Sequence, residues 1–281
     1  MTAMTRLIGH LRQARKRLRY LAGYIQWSDP AGAPVPRITD FTRCQRPILL
    51  LYGFFATRRT FEVLERRLRR DGYCVFSLDL GGLRRTFNTR GIDDLADLVR
   101  AKVERIYSRN PGMGPLTILG HSKGGLIGAY YVKKLGGWRH TRALVTMGTP
   151  HHGTPAAYAA MPLGIFARSV WQMTPMSPFI RQLERGAWPP GVRFTSMYSK
   201  DDRVAPYPSA LIETHGLAYL RNVEVEAHGH REFIYKKRVY DRILAELRQG
   251  EVAAPVKLGK LALVPGAARA VAVAVAVAAE R

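Results

Sequence analysis

The chain has 281 residues, 47% hydrophobic and 23% charged, enough apolar side chain for a sizeable core and too much for global disorder. Its two cysteines, Cys44 and Cys74, exclude a disulfide scaffold and a four-cysteine zinc site. A formal net charge of +23 favours anionic surroundings, whether nucleic acid, lipid headgroups or acidic partners, without choosing among them.

Arginines recur through the first twenty residues, and no uncharged apolar stretch of signal-peptide length follows them. Ala270–Ala279 is the strongest candidate for a membrane span, but it is ten residues long where about twenty are needed. The expectation is a cytoplasmic protein with Cys44 and Cys74 as free core thiols. Within residues 1–28, Leu7, Leu11, Ala14, Leu18, Leu21 and Ile25 form one narrow helical stripe. Arg12, Arg15, Lys16, Arg17 and Arg19 fall on the other side of that helix. Such a helix either lies among anionic headgroups at the inner membrane face or packs on the remaining chain behind a solvated basic face. Ser28-Asp29-Pro30, Gly32, Pro34 and Pro36 end it and make residues 29–45 a linker.

From residue 46 to residue 248 strands and helices alternate. Ile48–Tyr52 and Tyr73–Leu80 are unbroken apolar runs, separated by a helical stretch around Phe61–Arg70. Leu116–Leu119 and Ala143–Met147 are two further short strands, with a helix over Gly124–Leu135 between them. Continuous apolar strands need both sheet faces covered, as in a parallel sheet. This rhythm predicts an α/β domain with a mostly parallel, doubly wound sheet. Residues 153–190 break it with an apolar, proline-containing excursion, read either as a cap over an apolar site or as ordinary packing. Phe166, Trp171 and Phe179 of this excursion, with Phe55, are the candidates for acyl contact. Residues 249–281, rich in alanine and valine, read as a disordered tail.

Chemistry concentrates in Gly120-His121-Ser122-Lys123-Gly124-Gly125, placed between a buried strand and a helix. G-x-S-x-G in that setting makes a nucleophile elbow, a strained turn that exposes the Ser122 hydroxyl. The Lys123 amide then points at the same spot and can hold an oxyanion. The second donor is expected after the first core strand, in Tyr52-Gly53-Phe54-Phe55, with the amide of Phe54 as candidate.

A serine hydroxyl needs a base, and the base needs an acid to orient it. Arg193–Tyr198 reads as a strand running into Ser199-Lys200-Asp201-Asp202, and a carboxylate past a strand end sits where such sheets place their sites. Val223 and Val225 mark another strand, followed by His228-Gly229-His230 and a helix from about Arg231. Asp202 is the favoured acid and Asp201 the alternative; His230 is the favoured base and His228 the alternative. His151 and His152 have no carboxylate or cysteine at ligand spacing, so they read as loop residues and no metal is expected.

With these motifs the chain resembles the α/β-hydrolase superfamily, and within it bacterial lipases of the triacylglycerol-lipase type. Gly148-Thr149-Pro150-His151-His152-Gly153-Thr154 is similar to the G-T-P-H-x-G-T string of those lipases. The similarity covers about residues 46–248. It implies an α/β-hydrolase fold with a helical cap after the sixth-strand region, and cofactor-free hydrolysis of esters with fatty acyl groups by Ser122, Asp202 and His230. A thioesterase, phospholipase or acyltransferase would use the same scaffold. Tyr52-Gly53 departs from the His-Gly that many such lipases carry, which touches the support of the oxyanion loop. A non-catalytic basic protein is the rival class, but no zinc spacing, aromatic RNA-binding string or isolated recognition helix marks a nucleic-acid partner. No obligate protein partner is implied.

Overall fold

In a computed structural model, the described residues are 38, 40–53, 58–78, 80, 90–160 and 167–252. The expected N-terminal helix (1–28), most of the linker and the tail beyond residue 252 lie outside them. The chain divides into two compact units, Met1–Leu247 and Arg248–Arg281. Of the second, residues 248–252 are described, as the end of the last helix.

Six strands form one parallel sheet among the described residues: β1 (Pro47–Leu51), β2 (Cys74–Ser77), β3 (Leu116–His121), β4 (Thr141–Met147), β5 (Arg193–Tyr198) and β6 (Leu220–Glu224). Their order is β2-β1-β3-β4-β5-β6. Every side chain of β1 and β3 is buried, which is why these strands read as continuous apolar runs rather than alternating ones. β2 is shorter than the Tyr73–Leu80 run.

Helices α1 (Glu62–Arg70), α2 (Ile92–Arg109) and α3 (Lys123–Lys134) connect the first four strands. The helix over Ile92–Arg109 was not among the expected elements. It buries Ile92, Leu95, Ala96, Val99 and Val103, one stripe at helical spacing with Asp93 and Asp94 in its first turn. Among the described residues between 153 and 190 lie three short helices, α4 (Ala156–Ala159), α5 (Arg168–Gln172) and α6 (Pro178–Glu184). Since residues 46–147 supply four described strands, this stretch follows the fourth strand of this sheet, β4. Gln172 accepts from the Ile92 amide at 2.6 Å, and Arg168 pairs with Asp93 and Asp94 at 2.7 and 3.1 Å. At the other end, the Lys133 and Lys134 ammonium groups donate to the carbonyls of Glu184 and Arg185. α5 is therefore tied to α2, and the end of α6 to α3.

After α7 (Tyr207–Ala210) and β6, the final helix α8 (Lys237–Val252) begins six residues later than expected, behind a short 3-10 turn over Glu232–Ile234. No helix among the described residues is long and apolar enough to cross a membrane.

The cysteines overturn one expectation. Cys44 and Cys74 are not free thiols but form a disulfide, with Cα atoms 5.9 Å apart. Parallel pairing of β1 with β2 sets Pro47 opposite Cys74, which brings the approach to β1 within reach. Phe41, within the stretch read as linker, packs edge-on against Phe76 and belongs to the core. Disulfides persist in oxidising surroundings, so the cysteines no longer support a reducing compartment.

Candidate active site

Strand register brings the candidate residues to one edge. Leu51 pairs with Gly120, His121 with Met147, and Met147 with Met197. The chain segments leaving these strands carry Gly53, Ser122, Gly148 and Asp202. All four emerge at the C-terminal edge of the sheet, where open α/β folds place their sites.

Ser122 sits between β3 and α3 with φ 56° and ψ −128°, a backbone conformation that is costly for a residue with a side chain. Three hydrogen bonds hold it there. Its amide donates to the Met147 carbonyl, and its carbonyl accepts from the Gly125 amide and the Thr149 hydroxyl, each at 3.0 Å. Gly124 is required by proximity: a Cβ there would lie 2.1 Å from the Leu51 carbonyl oxygen. The serine hydroxyl leans toward Gly53, where an added Cβ would be 3.3 Å from Oγ. Phe54 lies outside the described residues, as does Phe55.

Tyr52, at the position where many lipases have histidine, sends its hydroxyl to the loop after β2. It donates to the Leu78 carbonyl at 3.2 Å and accepts from the Leu80 amide at 3.4 Å. The stretch before Gly53 thus has an anchor of a different chemistry.

The open choice between acids and bases separates into two pairs. His230 Nδ1 donates to Asp202 Oδ2 at 2.7 Å, and both side chains are sealed, 1% and 0% exposed. His228 Nδ1 meets Asp201 Oδ2 at 3.0 Å, with the two side chains 65% and 61% exposed. The other oxygen of Asp202 accepts from the amides of Val204 and Ala205 at 2.8 and 3.1 Å. Burial works to raise the Asp202 carboxyl, but His230 and these two amides outweigh it and hold the acid below its ordinary range. A carboxylate can only accept, so His230 carries its proton on Nδ1 and presents a lone pair at Nε2. That Nε2 is buried and has no hydrogen-bond partner among the described residues.

Gly148 explains why the G-T-P-H-x-G-T string begins with glycine. Its φ is +53°, and a Cβ there would lie 2.8 Å from Asp202 Oδ2 and 3.2 Å from His230 Nδ1. Thr149 braces Ser122, and Thr154 donates to the Val204 carbonyl beside Asp202. The string is a bracket that joins the elbow to the acid loop. None of its members was expected to touch these residues, because Gly148 lies 54 positions from Asp202 and 82 from His230. His151 bonds the Thr146 hydroxyl at 3.0 Å inside the core, and burial pushes its pKa down to about 3. His152 pairs with Glu184 at 2.6 Å. No metal-holding cluster occurs among the described residues.

His121 was read only as part of the elbow. Its Nε2 lies 2.8 Å from the His230 carbonyl oxygen, and the two imidazole rings are 4.6 Å apart between centroids. The Lys123 side chain is fully buried, with Nζ donating to the Ser169 hydroxyl on α5 at 3.3 Å, and burial pushes its pKa down to about 7.

Of the acyl-contact candidates, Phe179 is buried in a stack with Tyr130 of α3, centroids 5.4 Å apart, while Trp171 is 51% exposed. The two face different surroundings. Phe166 lies outside the described residues.

A family model described as alpha/beta hydrolase fold matches residues 46–175. A mature lipase of Bacillus licheniformis superposes with a TM-score of 0.58 at 16% identity, over 78% of this chain and 96% of its own. For lipase B of Aspergillus fumigatus the TM-score is 0.62 at 16% identity, over 76% of this chain and 55% of that one. An esterase of Exiguobacterium antarcticum gives 0.58 at 17% identity, over 73% of this chain and 92% of its own. No curated protein sequence matches the chain. By strand order, elbow and family match alike, the chain is a protein of the α/β-hydrolase fold.

Proposed function

We propose that the protein is a serine hydrolase that cleaves carboxylic esters of apolar acyl groups, as a lipase or carboxylesterase does. One observation carries this reading: a sealed Asp202–His230 pair with a bare Nε2 stands at the same sheet edge as a serine on a strained elbow. Strain and desolvation of this kind are maintained at functional sites because the surrounding fold over-determines them. The likeness to lipases and esterases supports the substrate class.

In the reaction, His230 Nε2 takes the proton of Ser122 as Oγ bonds to the ester carbonyl carbon. Asp202 stabilises the imidazolium that forms. The carbonyl oxygen gains negative charge, which the Lys123 amide at the start of α3 and the Phe54 amide neutralise by donation. The C–O bond to the alcohol breaks, and His230 returns its proton to the leaving alkoxide. Water then attacks the acyl-enzyme with His230 again as base, freeing the acid and restoring Ser122. No cofactor enters these steps.

Hydrolysis of an ester series from acetyl to long-chain acyl, with Ser122→Ala as blank, tests the reading. Each buried methylene contributes about 0.8 kcal/mol, so kcat/KM rises with chain length until the pocket is full. A strict preference for acetyl esters would contradict the apolar acyl site. The basic stripe of residues 1–28 fits peripheral contact with anionic lipid, where each cation contributes about 1 kcal/mol. Binding of the full chain to anionic liposomes that weakens with salt supports that contact, and salt-independent or absent binding contradicts it.

A further inference from the structure

The base and the nucleophile of the proposed reaction come from distant parts of the chain, yet one side chain joins them. His121 precedes Ser122 directly and is the last residue of β3. Its Nε2 meets the backbone carbonyl oxygen of His230 at 2.8 Å, across 109 positions of sequence. A carbonyl cannot donate, so His121 must carry its proton on Nε2. Its Nδ1 is a buried lone pair without a partner among the described residues. The ring lies tilted against the His230 ring, centroids 4.6 Å apart, with Phe61 edge-on and Phe233 tilted farther out.

We infer that His121 is a positioning residue that sets His230 relative to Ser122, acting as a neutral imidazole with its proton fixed on Nε2. This role rests on the hydrolase reading above. His230 lies between β6 and α8, just before the 3-10 turn over Glu232–Ile234, and is buried. Asp202 holds its side chain from the loop after β5, and His121 holds its main chain from the end of β3. The two attachments fix the ring and its backbone from two different points of the sheet edge. Since His121 is bonded covalently to Ser122, any shift of the elbow carries its donor with it, and the base follows the nucleophile.

Neutrality belongs to the role. His230 becomes an imidazolium during turnover, and a second cation at 4.6 Å would oppose it. Burial, reinforced by the His230 charge, pushes the His121 pKa down to about 3. The other charged groups that bear on it are Asp202, which favours its cation, and Arg231, which opposes it. Across the working range His121 therefore stays neutral beside the base.

Two variants separate the donor from the ring. His121→Phe keeps an aromatic slab and removes the N–H, whereas His121→Gln keeps an N–H of similar reach and removes the ring. A fluorophosphonate titrates the competent sites in each preparation, so turnover is counted per folded site. Misplacing a reacting group by about 1 Å can cost about 100-fold. The expected result for His121→Phe is a 10- to 100-fold fall in kcat per titrated site at nearly unchanged KM, with His121→Gln recovering most of it. Equal turnover per site in His121→Phe and wild type would overturn the role, even if thermal stability fell. So would a His121→Gln variant as slow as His121→Phe. Should neither variant fold, nitrogen-15 NMR of the full wild-type chain decides. An Nε2-protonated, Nδ1-bare His121 that does not titrate from pH 5 to 9 supports the role, and the other tautomer or titration in that range overturns it. A wild type that fails to react with the fluorophosphonate contradicts the hydrolase reading and the role with it. A reactive wild type beside an unimpaired His121→Phe contradicts the role alone.

Discussion

Asp202 and His230 meet through a 2.7 Å hydrogen bond from which solvent is almost wholly excluded. One residue upstream of the acid and two upstream of the base, Asp201 and His228 repeat the pairing in open water. Chemically the pairs are alike. Only the sealed pair gains from a low local dielectric, which strengthens the carboxylate–imidazolium interaction severalfold over its value in water.

The two pairs therefore respond differently to mutation. Asp202→Asn lowers kcat about 10,000-fold, because the amide no longer enforces the tautomer that leaves Nε2 bare. Asp201→Asn changes kcat by less than about threefold, as expected for an exposed pair. His230→Ala and His228→Ala divide in the same way. Steady-state kinetics on a soluble ester measures all four, and comparable losses at Asp201 and Asp202 would contradict the assignment.

Gly148→Ala combines a disfavoured φ with a Cβ 2.8 Å from Asp202 Oδ2. The left-handed conformation costs about 1–2 kcal/mol for alanine, and the contact pushes the acid away from His230. We expect a lower melting temperature and a fall in kcat of at least about 100-fold. Gly186→Ala has a comparable φ of +78° with nothing near the added atom, and serves as control. It shows the stability loss without the loss of turnover.

Lys123 makes stability depend on pH. Its folded pKa of about 7 lies below the ordinary lysine value, so the unfolded chain binds more protons between those two limits. Stability from this group is complete above about pH 10.5, declines as pH falls, and levels off below about pH 7. Lys123→Met removes that slope but leaves the Ser169 hydroxyl without its 3.3 Å partner, which offsets part of the gain. Melting temperatures of both proteins from pH 6 to 10 decide it. The variant's advantage is largest near pH 6 and shrinks toward pH 10, and parallel curves would contradict a buried, deprotonating amine.

The disulfide closes a loop with a sequence separation of 30 residues, which includes Gly53 and α1. Loop-closure entropy for that length stabilises by about 4 kcal/mol. Replacing both cysteines with alanine is expected to lower the melting temperature by on the order of 10 °C in a domain of this size. Unchanged melting of the double variant and of the reduced wild type would show that the thiols are not joined.

Much of this was legible beforehand, for identifiable reasons. Strands buried on both faces announce themselves as Pro47–Leu51 and Leu116–His121 do, and the elbow motif is short and local. Chain order offered two candidates each for the proposed acid and base, Asp201 or Asp202 and His228 or His230. Choosing between adjacent aspartates needs burial, which is a property of the folded sheet and not of the dipeptide. α2 carried its helical stripe openly in Ile92, Leu95, Ala96, Val99 and Val103, yet it was not among the expected elements. Other features have no local trace. Whether Cys44 reaches Cys74 depends on β1 and β2 becoming neighbours, and the contacts of Gly148 and His121 join residues 54 and 109 positions apart. Trp171 and Phe179 show the converse: their apolar character was evident, but one stands half exposed and the other stacks on Tyr130.

The central claim is that Ser122 is an activated nucleophile served by His230, and covalent labelling tests it most directly. Treatment of the full chain with a fluorophosphonate, followed by peptide mass spectrometry, should place one adduct on Ser122 with loss of esterase activity in step. His230→Ala should slow that labelling by several orders of magnitude, since triad members act as a unit. An unlabelled Ser122 in folded protein, or labelling as fast in His230→Ala as in wild type, would contradict the account.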